Sequence, residues 1–180
     1  MTLPAALEGH VEKAARSILG MRLRTEFRDQ VTELLLTEVE AYGGSDDAAS
    51  HAYRGPKEGN RSMFGPPGTL YVYRSYGMHW CANVVTGLEG TARAVLLRGG
   101  VPLEGEALMQ QRRGRLDHIA DGPGKLAQAL GIDGSHDGTN VVDGPVRLLP
   151  RLGEAPSIVA TPRIGVAKAK DRAWRFVLVR

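Results

Sequence analysis

Three side chains in one short run carry the first chemical signal. In Thr37-Glu38-Val39-Glu40-Ala41-Tyr42 the two-residue period of a strand places Glu38, Glu40 and Tyr42 on one face. Two carboxylates set directly after Leu34-Leu35-Leu36 cost free energy unless a cation or hydrogen bonds compensate them. Two readings fit that spacing. One is an edge strand that points both carboxylates at solvent; the other is a general base beside an aromatic wall, with Arg98 as partner. Aromatic residues make up 6% of the chain, so their placement discriminates between functions. Tyr71, Tyr73 and Tyr76 crowd the segment TLYVYRSYGMHW. Tyr71 and Tyr73 share a strand face and suit a core, whereas Tyr76 stands at a turn, where burial in its own domain is hardest. An apolar tip on a hairpin asks for a partner to cover it. Enzymes acting on a base in duplex DNA need a wedge for the vacated stack and an aromatic pocket for the extruded base, and Tyr42 to Tyr76 supplies both residue types.

Other chemistries lack their residues. There is no HExxH, no H-x-E with P-C-x-x-C and no G-x-S-x-G. Gly55-Pro56-Lys57-Glu58-Gly59-Asn60-Arg61-Ser62 has the wrong glycine spacing for a phosphate loop, and Arg61 stands where that loop carries Lys. The single cysteine, Cys81, excludes a disulfide framework and a multi-cysteine metal centre, and the five histidines show no ligand spacing. No metal and no cofactor is expected.

These candidates need elements to hold them. Apolar spacing predicts a helix over 5–19 with Gly20 at its end, then strands over 21–27 and 31–42. Residues 43–68 are dense in Gly, Ser, Asp and Pro, and such long loops are functional or disordered. Strands over 69–75, 79–86 and 91–98 form a meander turning at Tyr76-Gly77 and at 87–90. Short helices follow over 103–112 and 123–130, and strands over 146–149, 158–164 and 174–179. Helices and antiparallel strands without a βαβ rhythm read as α+β: one compact domain over 1–180, with a curved antiparallel sheet flanked by helices and a protruding β-hairpin. The length of 180 residues suffices for a core without staples.

No apolar run approaches the ~20 residues that span a bilayer, and the first 20 residues lack a secretory pattern. A soluble monomer inside the cell, cytoplasmic or nuclear, is expected. Lys and Arg number 23 against 20 Asp and Glu, a net +3 that identifies no partner by itself. The bias within it, 18 Arg to five Lys, suits bidentate phosphate contacts. So does the tail over 161–180, where Arg163, Lys168, Lys170, Arg172, Arg175 and Arg180 face one Asp171. With Arg54, Lys57, Arg61 and Arg74 near the hairpin, these predict a phosphate track and salt-sensitive affinity.

Three stretches, LTEVEAYGGSDDAASHAYRG, RSMFGPPGTLYVYRSYGMHWCANVV and AVLLRGGVPLEG, together resemble the alkyladenine (3-methylpurine) DNA glycosylase family. Weaker matches are DGPGKLAQALGI and PRIGVAKAKDRAWRF, all in order between residues 36 and 176. The resemblance implies that Glu40 activates water for attack on the anomeric carbon. It implies that Arg98 helps hold this water, with a main-chain carbonyl at Ile164. Tyr42, His51 and Tyr73 then stack on the flipped base, His51 also meeting its edge. Asn83 crowds the exocyclic amino group of guanine, and Tyr76 intercalates with Met78 beside it. The implied partner is double-stranded DNA containing damaged purines, namely 3-methyladenine and in addition hypoxanthine, ethenoadenine or 7-methylguanine. The implied product is an abasic site. His79-Trp80 departs from the aromatic pair common in this family, which puts the pocket lip or a DNA contact in question. Asp121-Gly122-Pro123-Gly124-Lys125 leaves a further alternative: a helix–hairpin–helix glycosylase with Lys125 as lyase nucleophile, against which the strand-rich middle speaks. A third is a non-catalytic binder of distorted nucleic acid, which would need the tyrosines and arginines but not Glu40.

Overall fold

A computed structural model describes residues 3–179. Eight antiparallel strands form one curled sheet. They are β1 (Arg22–Phe27), β2 (Gln30–Tyr42), β3 (Leu70–Ser75), β4 (His79–Thr86), β5 (Arg93–Glu104), β6 (Val146–Leu149), β7 (Ile158–Thr161) and β8 (Arg175–Leu178). The main order is β3-β4-β5-β2-β1-β6, with β8 pairing β2 and β7. Helices α1 (Leu3–Leu7), α2 (Val11–Ile18), α3 (Glu106–Arg113) and α4 (Pro123–Leu130) flank it. This is the predicted α+β fold with its curved sheet. Among the described residues no helix is long and apolar enough to cross a membrane.

The long strand β2 organises the molecule. Its first half pairs β1, its second half pairs β8 from Glu38 to Glu40, and β5 lies along the other side. It is therefore an interior strand, which removes the edge-strand reading of Glu38 and Glu40. A pair of compensating bulges interrupts β2 and β5. Leu36 faces Gly100, Glu38 faces Gly99 and Val39 faces Leu97, so Thr37 on β2 and Arg98 on β5 are the unpaired residues. The shift of phase lets Leu34 and Leu36 before it, and Val39 and Ala41 after it, enter the same core. Glu40 and Tyr42 consequently point to the opposite face.

Three boundaries differ from the sequence reading. The helix predicted over 5–19 is two helices, because the Leu7 carbonyl accepts from the Gly87 amide, 2.7 Å away, in the β4–β5 turn. The strand predicted over 91–98 continues to Glu104, and the following helix begins at Glu106. The strand runs on through Gly99-Gly100, where a Cβ on Gly100 would collide with Leu34 Cδ1. The glycine there admits the close approach of β2. The strand predicted over 158–164 ends at Thr161.

The 43–68 segment is folded against the sheet. It contains 3₁₀ turns at Gly44–Asp46 and Glu58–Phe64. Buried Asn60 ties it together: its Nδ2 donates to the carbonyls of His51 and Gly55, and its Oδ1 accepts from the Lys57 amide. Ala52, Met63, Tyr71, Val85, Ala92 and Ala94 form a small second core beneath this segment.

Candidate active site

The second half of β2 carries Glu40 and Tyr42, and β5 brings Arg98 beside them. Glu40 is 0% exposed. Its Oε2 accepts from the Tyr42 hydroxyl at 2.8 Å, and its Oε1 accepts from the Ile164 amide at 2.8 Å. Arg98 Nε lies 3.5 Å from the same Oε1 and donates to Glu38 Oε1 at 2.8 Å. Arg175 of β8 donates from Nε to that Glu38 oxygen at 2.7 Å. Burial would raise the Glu38 pKa, but the two guanidiniums outweigh it and hold the carboxyl below its usual range. Burial, and then the adjacent Glu40, push the Tyr42 hydroxyl far above its ordinary value, so it stays a hydrogen-bond donor.

Above this group opens a cavity of about 660 Å³ lined by Tyr42, His51, Tyr73, Asn83, Arg98 and Ile164. That volume lies within the ~300–1,000 Å³ of small-molecule sites. His51 and Tyr73 meet edge to face with centroids 4.5 Å apart, and Tyr73 stacks on Tyr71 at 5.5 Å. His51 Nδ1 and the Tyr71 hydroxyl are 3.1 Å apart. Burial on that side holds the His51 pKa below the ordinary imidazole value, which keeps the ring neutral near pH 7. Burial raises the Tyr73 hydroxyl strongly and Tyr71 to about 12, the latter helped by Asp137. Asn83 is buried on β4, and its Nδ2 donates to the Tyr71 carbonyl at 3.1 Å.

The hairpin tip rises at the rim. Tyr76, on the cavity edge, is 91% exposed, and Met78 is 72% exposed beyond it. The structure thus brings seven of the nine predicted residues to one cavity, with Glu40 buried beneath and Met78 outside. The Ile164 atom that meets the carboxylate is its amide N–H. The loop bearing Ile164 reaches β2 only through tertiary folding, 124 residues downstream.

A family model for methylpurine-DNA glycosylases matches residues 5–180. The chain belongs to the methylpurine-DNA glycosylase family. It is 48% identical to a protein of Methanoculleus marisnigri provisionally named a 3-methyladenine DNA glycosylase, over 99% of this chain and 95% of the relative. Relatives with that same name in Rhodopseudomonas palustris (strain BisB18) and Mycobacterium sp. (strain KMS) are 48% and 47% identical. Those alignments cover 93% and 92% of this chain and 82% and 83% of the relatives. Membership makes the chain an enzyme that hydrolyses N-glycosyl bonds.

Within this glycosylase the His79-Trp80 departure lies away from the cavity. Trp80 packs under the Arg74 guanidinium, 4.9 Å from its ring centroid, and lines a neighbouring hollow of about 640 Å³. His79 packs on Gly124 at the start of α4. Lys125 is half-buried and paired with Asp121 at 2.8 Å, outside the cavity. One predicted phosphate contact is corrected: Arg163 is buried against Asp47, so its guanidinium is not open to a phosphate, while half-buried Arg175 is paired with Glu38. Arg180 lies outside the described residues. The pairings of Asp47 with Arg163 and of Glu38 with Arg175 carry no signal in sequence, because each joins partners far apart along the chain. Among the described residues no group of three or more His, Cys, Asp or Glu side chains could hold a metal ion.

Proposed function

We propose that the glycosylase extrudes a damaged purine from duplex DNA into the 660 Å³ cavity and hydrolyses its N-glycosidic bond with water activated by Glu40. The observation that carries this reading is a fully buried carboxylate beneath an aromatic cavity that has an exposed tyrosine at its rim. Tyr42, His51 and Tyr73 supply faces and an edge for the base. Tyr76 fills the vacated stack, with Met78 beside it. Bond cleavage builds oxocarbenium character on the sugar, which a nearby carboxylate stabilises electrostatically. The same carboxylate takes a proton from water as the C–O bond forms and the purine leaves with the glycosidic electron pair. General-base help of this kind contributes ~10²–10⁴-fold. Arg98 and the Ile164 main chain hold the water beside Glu40.

The substrate preference follows from charge. A cationic purine such as 3-methyladenine is already a good leaving group, and it gains roughly 0.5–2 kcal/mol over a tyrosine face. Neutral His51 spares it a repulsion. Hypoxanthine and ethenoadenine, being neutral, need more assistance, and Asn83 disfavours the exocyclic amino group of guanine. The product is an abasic site, and the protein works as a monomer on double-stranded DNA. Glu40→Gln tests the reading: excision from methylated duplex, scored by alkali cleavage, falls by at least about 10²-fold while binding to the duplex survives. Wild-type excision by that variant removes Glu40 as the base.

A further inference from the structure

Arg163 lies next to Ile164 in the loop that walls the cavity, yet it touches the cavity nowhere. Among the described residues from Pro162 to Lys170 it is the one buried side chain; its neighbours are exposed or half-buried. Its guanidinium meets both oxygens of Asp47, at 2.5 and 2.9 Å, with both side chains 0% exposed. It also donates to the carbonyls of Ala41, at 3.0 Å, and Ala169, at 3.3 Å. The planar group lies over two rings, 4.7 Å from the Tyr42 centroid and 5.3 Å from that of Trp174. Asp47 in turn accepts from the amides of Gly43 and Ala49, at 3.1 and 3.2 Å. One guanidinium therefore fastens the end of β2, the turn after it and the 162–174 loop to each other.

The two elements it joins carry the two groups bonded to Glu40. Tyr42, stacked on the guanidinium, gives Glu40 its hydroxyl, and the residue after Arg163 gives Glu40 its amide. We infer that Arg163 is a positioning residue: clamped by Asp47, it sets Tyr42 and the Ile164 amide against the Glu40 carboxylate. The inference rests on the proposed role of Glu40. An ammonium cannot reproduce the clamp, because it lacks both the fork that meets two carboxylate oxygens and the plane that lies over the aromatic rings.

The experiment is Arg163→Lys in the full chain, with excision from methylated duplex followed under single turnover over a range of enzyme concentrations. The rate at saturation is expected to fall roughly 10²-fold, as for ångström-scale misplacement of a catalytic group, while the half-saturating concentration changes by less than about threefold. A wild-type saturating rate per folded molecule, with only the melting temperature lowered, overturns the inference. So does a change confined to half-saturation. Where Lys leaves Asp47 uncompensated and the chain fails to fold, Asp47→Leu with Arg163→Met removes both charges, a replacement that buried ion pairs tolerate. That variant is expected to fold with the same rate loss, and a normal rate in it again overturns the inference. Glu40→Gln on the same DNA keeps the failures apart. An active Glu40→Gln defeats the functional reading, whereas an inactive one beside a fully active Arg163→Lys defeats only the clamp.

Discussion

Tyr76 adopts φ +51° and Gly77 φ +68°, so both central residues of the β3–β4 turn are left-handed. Glycine takes that conformation freely, but for a tyrosine it costs roughly 1–2 kcal/mol, and at 91% exposure no packing within the chain repays it. Stability alone would not select this residue. Tyr76→Gly is therefore expected to leave stability unchanged or to raise it by up to about 1 kcal/mol in a denaturant melt. Excision from duplex should fall in the same variant, more than excision from single strands. A clear loss of stability would mean that the ring packs on its own domain. The type and place of Tyr76 were readable in sequence; its backbone strain was not.

At the scale of elements, the paired bulges in β2 and β5 do the positioning. Were Thr37 in regular register instead of bulged out, Leu34 and Leu36 before it and Val39 and Ala41 after it would face opposite sides of the sheet. Arg98 is the matching extra residue on β5, and the bulge turns it toward Glu38 and Glu40. The close approach that permits this depends on Gly100. A Cβ there would collide with Leu34 Cδ1 and lie 2.8 Å from the Leu35 carbonyl oxygen. Gly100→Ala should cost about 1–3 kcal/mol of stability in urea melts, as overpacking does. The excision rate of the folded fraction should fall with it, since Arg98 stands two residues away. If the rate per folded molecule stays at the wild-type level, the bulge does not set Arg98.

For the whole molecule, the net +3 averages cations with different tasks. Arg163 and Arg175 neutralise Asp47 and Glu38 inside the fold, and Arg172 lies over Trp174 and donates to the Asp46 carbonyl. Exposed Arg54, Lys57, Arg61 and Arg74 stand on the hairpin side, and Lys168 and Lys170 on the loop across the cavity. Affinity for duplex should fall as salt rises, with a log–log slope of about 0.9 per phosphate neutralised. Lys168→Ala, measured by titration over a salt series, should reduce that slope by about one contact. A slope that does not change would remove Lys168 from the phosphate track.

Local order determined much of this in advance. The meander, the turn at Tyr76-Gly77, the shared face of Glu40 and Tyr42 and the short helices all follow from spacing and turn residues. The motif stretches carried the family with them. Other features required contacts between residues distant in the chain. The split of the first helix needed the Gly87 amide on the Leu7 carbonyl, and the reach of β5 through Gly99-Gly100 needed β2 alongside. Glu40 changes from a carboxylate on one face of a strand to a buried group only when β2 lies inside the sheet and the Ile164 loop closes over it. The arginines divide in the same way. Sequence shows that they are cationic, but whether a guanidinium faces a phosphate or a buried carboxylate depends on which side chain the fold places within about 3 Å of it.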